Sequence, residues 1–171
     1  RAQAEGVGLI TVGTQKDTSR AGLDFAKNHT EVYATVGLHP IHTSKSFHDT
    51  QELGEGNKQF TSRGEVFDTD AYRSMALDPK TLAIGECGLD YYRLSEDTKK
   101  IQMEAFMAQI HLANEVKKPL MLHIREAYKD AYEMLRTDAK VKGNVHFFAG
   151  TWEEAKWFLD LGFTLSFTGV I

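Results

Sequence analysis

The sequence predicts an α/β fold built on a parallel sheet, and three observations carry that expectation. Short apolar runs of β type recur along the chain, amphipathic helical patterns fall between them, and no run approaches the ~20 residues needed to span a membrane. Most of the runs are apolar throughout rather than alternating with polar residues. That is the pattern of strands covered on both faces, as in a parallel sheet.

Six runs read as strands: Leu9-Ile10-Thr11-Val12, Tyr33-Ala34-Thr35-Val36, Leu82-Ala83-Ile84, Leu120-Met121-Leu122-His123-Ile124, Val145-His146-Phe147-Phe148 and Thr164-Leu165-Ser166-Phe167. Between them, Asp17 or Thr18 can cap a helix carrying Leu23, Phe25 and Ala26. Ser95 can cap a second, with Glu96 and Asp97 complementing the dipole of its first turn. Its apolar stripe, Met103, Phe106, Met107 and Ile110, has the i, i+3, i+4, i+7 spacing of a buried helix face. A third helix carries Ala127, Tyr128, Ala131, Met134 and Leu135. A fourth opens with Thr151 and Glu154 at capping-box spacing, and Gly162 is a natural stop. Residues 41–80 break this rhythm. They read as a long polar connection with a short helix near Tyr72 to Leu77 and turns at Gly54-Glu55-Gly56-Asn57 and Asp78-Pro79.

Two architectures satisfy the alternation, an open doubly wound sheet and a TIM (β/α)8 barrel. No G-x-G-x-x-G follows a strand, which weakens a dinucleotide-binding sheet, but periodicity alone does not choose. A length of 171 residues fits one domain, and 42% hydrophobic residues suffice for a sizeable core. A net charge of −4 excludes a protein that holds nucleic acid mainly through a basic surface field. Any such chemistry must be local, with bound cations supplying the positive charge. The single cysteine, Cys87, can form no internal disulfide and fits a reducing cytoplasm. No signal-peptide pattern is visible, and a chain that opens on Arg1 leaves room for a longer native N-terminus.

The informative residues are polar ones at the ends of apolar strands. His39 follows Val36-Gly37-Leu38, Glu86 follows Ala83-Ile84-Gly85, His123 follows Leu120-Met121-Leu122, and His146 follows Asn144-Val145. A lone strand histidine is usually a satisfied core residue. Four successive strands ending in His or Glu are harder to explain that way, because in a parallel barrel those ends converge on one mouth. Imidazole and carboxylate together suit divalent cations, and three ligands from separate strands leave open positions of the catalytic kind. Glu86, His123 and His146 are therefore candidate metal ligands, and His39 a ligand or substrate contact. His29 and His111 read as helix-surface residues, and His42 and His48 fall in the polar connection.

Five segments in order resemble the TatD-like hydrolases: Val36-Gly37-Leu38-His39-Pro40, Ala83 to Tyr92 around Gly85-Glu86-Cys87-Gly88-Leu89-Asp90-Tyr91, Pro119 to Arg125 around His123, Val145-His146-Phe147-Phe148-Ala149-Gly150, and Ser166-Phe167-Thr168-Gly169. The resemblance implies a TIM barrel of the amidohydrolase superfamily, about six of eight strands present. It implies a site for two divalent ions (Mg, Mn or Zn) with Glu86 bridging and catalytic, and with His123 and His146 as further ligands. Asp90 would belong to the catalytic group, His39 and Arg125 would contact substrate, and the substrate would be DNA, cleaved at phosphodiester bonds by metal-activated water. Another metal hydrolase of esters or amides on the same scaffold, or a catalytically incompetent barrel fragment, are the competing readings. The resemblance also implies an H-x-H pair on a first strand and an Asp on a last strand, and neither falls within these 171 residues. The six runs would then be the second to seventh barrel strands, and the expectation is an open sheet with two exposed edges.

Overall fold

The computed structural model describes residues 3–45, 47–48, 58–92 and 95–168. Its framework is a six-stranded sheet of β1 (Leu9–Val12), β2 (Val32–Val36), β5 (Thr81–Asp90), β6 (Leu120–Arg125), β7 (Gly143–His146) and β8 (Thr164–Leu165), hydrogen-bonded in that order and parallel throughout. A two-residue antiparallel pair, β3 (Phe47–His48) with β4 (Phe60–Thr61), lies in the connection between β2 and β5. The helices are α1 (Lys16–Lys27), α2 (Thr69–Ala76), α3 (Glu96–Val116), α4 (Tyr128–Asp138) and α5 (Trp152–Asp160).

Strand order decides between the two architectures left open by the sequence. A doubly wound sheet reverses direction at a switch point. Here every strand lies beside its predecessor in the sheet, so right-handed crossovers place all the helices on one face, as they do in a barrel. The core forms between that face and the helices, around Leu23, Tyr72, Phe106, Ile110, Leu120, Leu122 and Phe158. β6 shows the consequence for sequence pattern. Leu120, Leu122 and Ile124 are buried, and the half-buried Met121, His123 and Arg125 alternate with them on the other face. Met121 makes the start of the strand apolar on both faces in sequence, yet only the helix side is fully covered. The same openness exposes the edges: Leu9, Ile10 and Val12 on β1, and Phe167 beyond β8, are large apolar residues 39–53% accessible.

Helix starts follow the expected chemistry with two shifts. Ser95 and Thr151 cap α3 and α5, and Glu154 returns the Thr151 bond as a capping box requires. Helix α1 instead begins at Lys16, one residue before the expected cap. Thr18 acts from inside the first turn, where its Oγ1 accepts the Gln15 N–H at 2.9 Å. Helix α2 begins at Thr69 behind an Asp68 cap, earlier than the sequence indicates. The expected turn at residues 54–57 lies outside the described residues, as does Gly169.

At the N-terminal ends of three strands, a lysine bonds to backbone carbonyls. Lys80 Nζ donates to His29, Thr30 and Val32 oxygens at 2.8–3.2 Å, Lys118 Nζ to Asp78 and Thr81 oxygens, and Lys142 Nζ to the Leu161 oxygen. The opposite ends carry the polar residues of interest. β5 changes register against β2 near its start and against β6 between Ile84 and Cys87, and its glycines permit the close approach to β6. Gly85 (φ +147°) and Gly88 (φ +139°) occupy backbone conformations open only to glycine, and a Cβ on either would fall on the Met121 or His123 carbonyl oxygen of β6. Gly88→Ala is therefore expected to destabilise the protein by roughly 3 kcal/mol, seen as a thermal midpoint lowered by roughly 6–12 °C. A midpoint within 2 °C of wild type would show that β5 and β6 can separate there without loss.

Candidate metal centre

Three chain segments converge at the C-terminal ends of β2, β5 and β6. β2 stops at Val36, and two more residues bring the chain to buried His39. The His39 N–H donates to the Thr14 oxygen at 2.9 Å, tying this turn to the segment after β1. Pro40 then opens a 3₁₀ turn, Pro40–His42, in which the Ile41 N–H donates to His39 Nδ1 at 3.2 Å. Glu86 lies inside β5, its N–H donating to the Gly13 oxygen at 3.0 Å. His123 lies inside β6, in register with Gly88. One ligand atom from each of His39, Glu86 and His123 falls within 4.8 Å of the others, and the two imidazole centroids are 4.2 Å apart.

His123 is the hub of this group. Its Nε2 is 2.9 Å from Asp90 Oδ2, and its Nδ1 is 3.5 Å from Glu86 Oε1. Asp90 is 4% exposed, and its second oxygen accepts the Tyr92 N–H at 3.0 Å. Burial alone would lower the His123 pKa, but the Asp90 and Glu86 carboxylates outweigh it and hold the imidazole up at about 9. The environment therefore favours a positive charge at this point. Two imidazoles and a carboxylate, backed by a second buried carboxylate, are a donor set suited to a divalent cation. The nitrogen of His123 that faces Glu86 is the one such an ion would use. The Asp90 bond to the other nitrogen would fix the ring, the arrangement common behind metal-binding histidines.

The remaining sequence candidates are placed as follows. Arg125 is the register partner of Asp90, on the same face of β6 as His123, and its guanidinium carbon sits 3.8 Å from the Tyr92 ring centroid. His146 ends β7 in register with His123, so it flanks the group, with Nδ1 3.4 Å from Ser166 Oγ. The three-residue group that forms in the described residues has His39 in it rather than His146. His42 packs edge-on to His39 at 6.1 Å, His29 contacts the Phe25 oxygen at the end of α1, and His111 lies 3.9 Å from Asp138 on the outside of α3. The His48 side chain lies outside the described residues.

Sequence reasoning did not single out Gln102 and Gln109 on α3. Their side chains are buried and bond the backbone of Asp90 and Leu38, on either flank of the centre. The available signal was spacing. Residues 102, 106, 109 and 113 share one helix face, so polar residues stand among its apolar ones.

A family model described as TatD related DNase matches residues 1–171. The chain belongs to this family. A metal-dependent hydrolase of Buchnera aphidicola, BU355, is 34% identical over 150 residues, 85% of this chain and 51% of that protein. The 3'-5' ssDNA/RNA exonuclease TatD of Citrobacter koseri is 34% identical over 172 residues, 99% of this chain and 59% of that protein. The crystal structure of YJJV, a TatD homologue from Escherichia coli, superposes with a TM-score of 0.68 at 25% identity, covering 96% of this chain and 57% of that one. The chain thus spans half to three fifths of the length of these TatD-family relatives, and its six strands follow their TIM-barrel fold.

The His123 environment sets a pH dependence for chelator-treated protein. The folded-state pKa is about 9 against 6.5 for a free histidine, so the stabilisation from the charged ring is complete below pH 6.5 and is lost as pH rises through about 9. Asp90→Asn removes the nearer carboxylate and should lower the His123 pKa by roughly one unit or more, read from imidazole resonances in an NMR titration. An unchanged His123 titration in Asp90→Asn would mean that Asp90 does not govern the ring.

Proposed function

We propose that this chain provides most of the active site of a metal-dependent nuclease that hydrolyses phosphodiester bonds in single-stranded DNA or RNA. The observation that carries this reading is the convergence of His39, Glu86 and His123, with Asp90 behind His123, at the C-terminal ends of adjacent barrel strands. Active sites of (β/α)8 enzymes lie at that face. Membership of the TatD family and the similarity to a 3'-5' ssDNA/RNA exonuclease support the substrate class.

In this reading His39, Glu86 and His123 hold the cation, with His146 as a further ligand from the next strand. A bound divalent ion would lower the pKa of a water molecule and neutralise charge on phosphoryl oxygens. The other roles fall to the protein's own groups. His39 accepts the Ile41 N–H at Nδ1, which orients its ring within the donor set. Arg125 stacks one face on Tyr92, which fixes the guanidinium plane while its in-plane N–H groups stay able to bond a phosphate. Asp90, with both oxygens engaged, holds His123 in orientation rather than taking a proton from water. The number of ions, two in the sequence-based expectation, and their identity among Mg, Mn and Zn belong to this proposal, as does the cytoplasmic location that the free, buried Cys87 thiol fits. No helix among the described residues is long and apolar enough to cross a membrane.

A second hydrolase class, acting on an ester or amide outside nucleic acid, is favoured by the net charge of −4, which gives no long-range attraction to a polyanion. End-labelled single-stranded oligonucleotides separate the two readings. The protein supplied with Mn²⁺ or Mg²⁺ should shorten them stepwise, chelation should stop it, and Glu86→Gln should reduce the rate by roughly 10³-fold or more. Intact oligonucleotides beside metal-dependent cleavage of a simple carboxylic ester would favour the second class.

A further inference from the structure

Helix α3 carries two glutamines, Gln102 and Gln109, seven residues apart on one face and only 3% and 1% exposed. Seven residues are two turns, so their side chains leave the helix in the same direction, about 10 Å apart along its axis. Each grips one residue by both backbone groups. Gln102 Oε1 accepts the Asp90 N–H at 2.8 Å while its Nε2 donates to the Asp90 oxygen at 2.8 Å. Gln109 Oε1 accepts the Leu38 N–H at 2.8 Å, and its Nε2 donates to the Leu38 oxygen at 3.0 Å and to the Ala105 oxygen at 3.2 Å.

This paired donor and acceptor is what a residue on a neighbouring strand would offer. It is supplied where the ladder runs out. β2 ends at Val36, two residues before Leu38, and Asp90 is the last residue of β5. The next N–H, that of Tyr91, reaches the Arg125 oxygen on β6, whereas both groups of Asp90 turn to Gln102. A buried amide must satisfy every polar group or lose stability, so an apolar core would be better served at these positions by Leu or Met. Leu38 carries the chain into His39, and Asp90 holds His123. The two glutamines therefore fix the two flanks of the centre against one rigid helix.

We propose that Gln102 and Gln109 are positioning residues that set the spacing of His39 and the Asp90–His123 pair for cation binding. The proposal rests on the metal reading of that centre. Groups that orient metal-binding side chains typically change affinity by about 10–100-fold when removed.

Calorimetric titration with Mn²⁺ tests it on wild type, Gln102→Met and Gln109→Met, with Leu135→Ala as a core truncation in α4 away from these contacts. Both glutamine variants should bind Mn²⁺ about 10-fold or more weakly while keeping the wild-type circular dichroism spectrum. Leu135→Ala should lower the thermal midpoint yet leave the Kd within about twofold. Folded glutamine variants with wild-type affinity, or a control weakened equally, would overturn the proposal. Should a Met variant fail to fold, Gln102→Asn or Gln109→Asn, which keeps a neutral amide but withdraws it by one methylene, is read by the same criterion. If wild type binds no Mn²⁺, the metal reading fails, and amide hydrogen exchange decides the positioning role. Faster exchange confined to residues 36–42 and 88–92 in the variants supports it, and exchange unchanged there or raised across the whole chain overturns it.

Discussion

A carboxylate as deeply buried as Asp90 is tolerated only if its charge is met at once, and the way it is met organises the rest of the centre. One oxygen takes the Tyr92 N–H and the other takes His123. The second bond exists because Gly88 and His123 stand opposite one another across β5 and β6, and that register requires residues without side chains at 85 and 88. Shift the register by one residue and His123 turns to the helix face, where Leu122 and Ile124 now sit. The carboxylate would then be stranded. Strand pairing, glycine placement and the electrostatics of the centre are thus one constraint seen at three scales.

The same constraint explains how an acidic chain could present a site for the anionic substrate proposed above. Two carboxylates beside His123 pull its pKa upward, which means that the site is negative before anything binds. A phosphate would be repelled by such a site, and a cation is drawn to it. Once a divalent ion is bound, it neutralises the two carboxylates, and Arg125 on the same face of β6 tips the local charge positive. In the proposed reading nucleic acid would then be attracted at the site itself, although the net charge is −4. Under the proposed function, such a design would separate affinity from steering, with the long-range field doing little and contacts at the reacting phosphate most.

Much of this was legible from the residues. The six strands appear where apolar runs occur, and Ser95, Thr151 with Glu154, and Gly162 mark helix ends as their chemistry requires. His39, Glu86 and His123 stood out as polar residues on apolar strands, and the structure joins them. What was not legible depends on tertiary geometry. Period-2 patterning could not show that β6 has one covered and one open face, because Met121 is apolar on the open side. Strand order, which separates a barrel from a doubly wound sheet, is a property of pairing rather than of any run. The choice of His39 over His146 as the nearest third member follows from a two-residue extension past β2 and its Thr14 bond, contacts distant in sequence. Gln102 and Gln109 were hidden for a related reason, since a glutamine on a helix reads as solvated until its partner is known.

The two ends of the sheet divide the work between stability and chemistry. At the N-terminal ends, Lys80 and Lys118 donate to strand carbonyls and Lys142 to the Leu161 carbonyl at the end of α5, and burial pushes the Lys118 ammonium pKa down. Those ammonium groups bind backbone and are not offered to substrate. At the C-terminal ends, the open carbonyls and N–H groups are met instead by the side chains of Gln102 and Gln109, neutral groups that add no charge beside the centre. A lysine in either place would satisfy the carbonyl but leave the N–H without an acceptor, and would set a fixed cation beside the one the centre is built to hold. An amide is the side chain that completes both halves of a peptide group while leaving the field of Glu86 and Asp90 intact. The choice of lysine below and glutamine above therefore follows from what each end has to tolerate: unpaired carbonyls at one, and a mobile positive charge at the other.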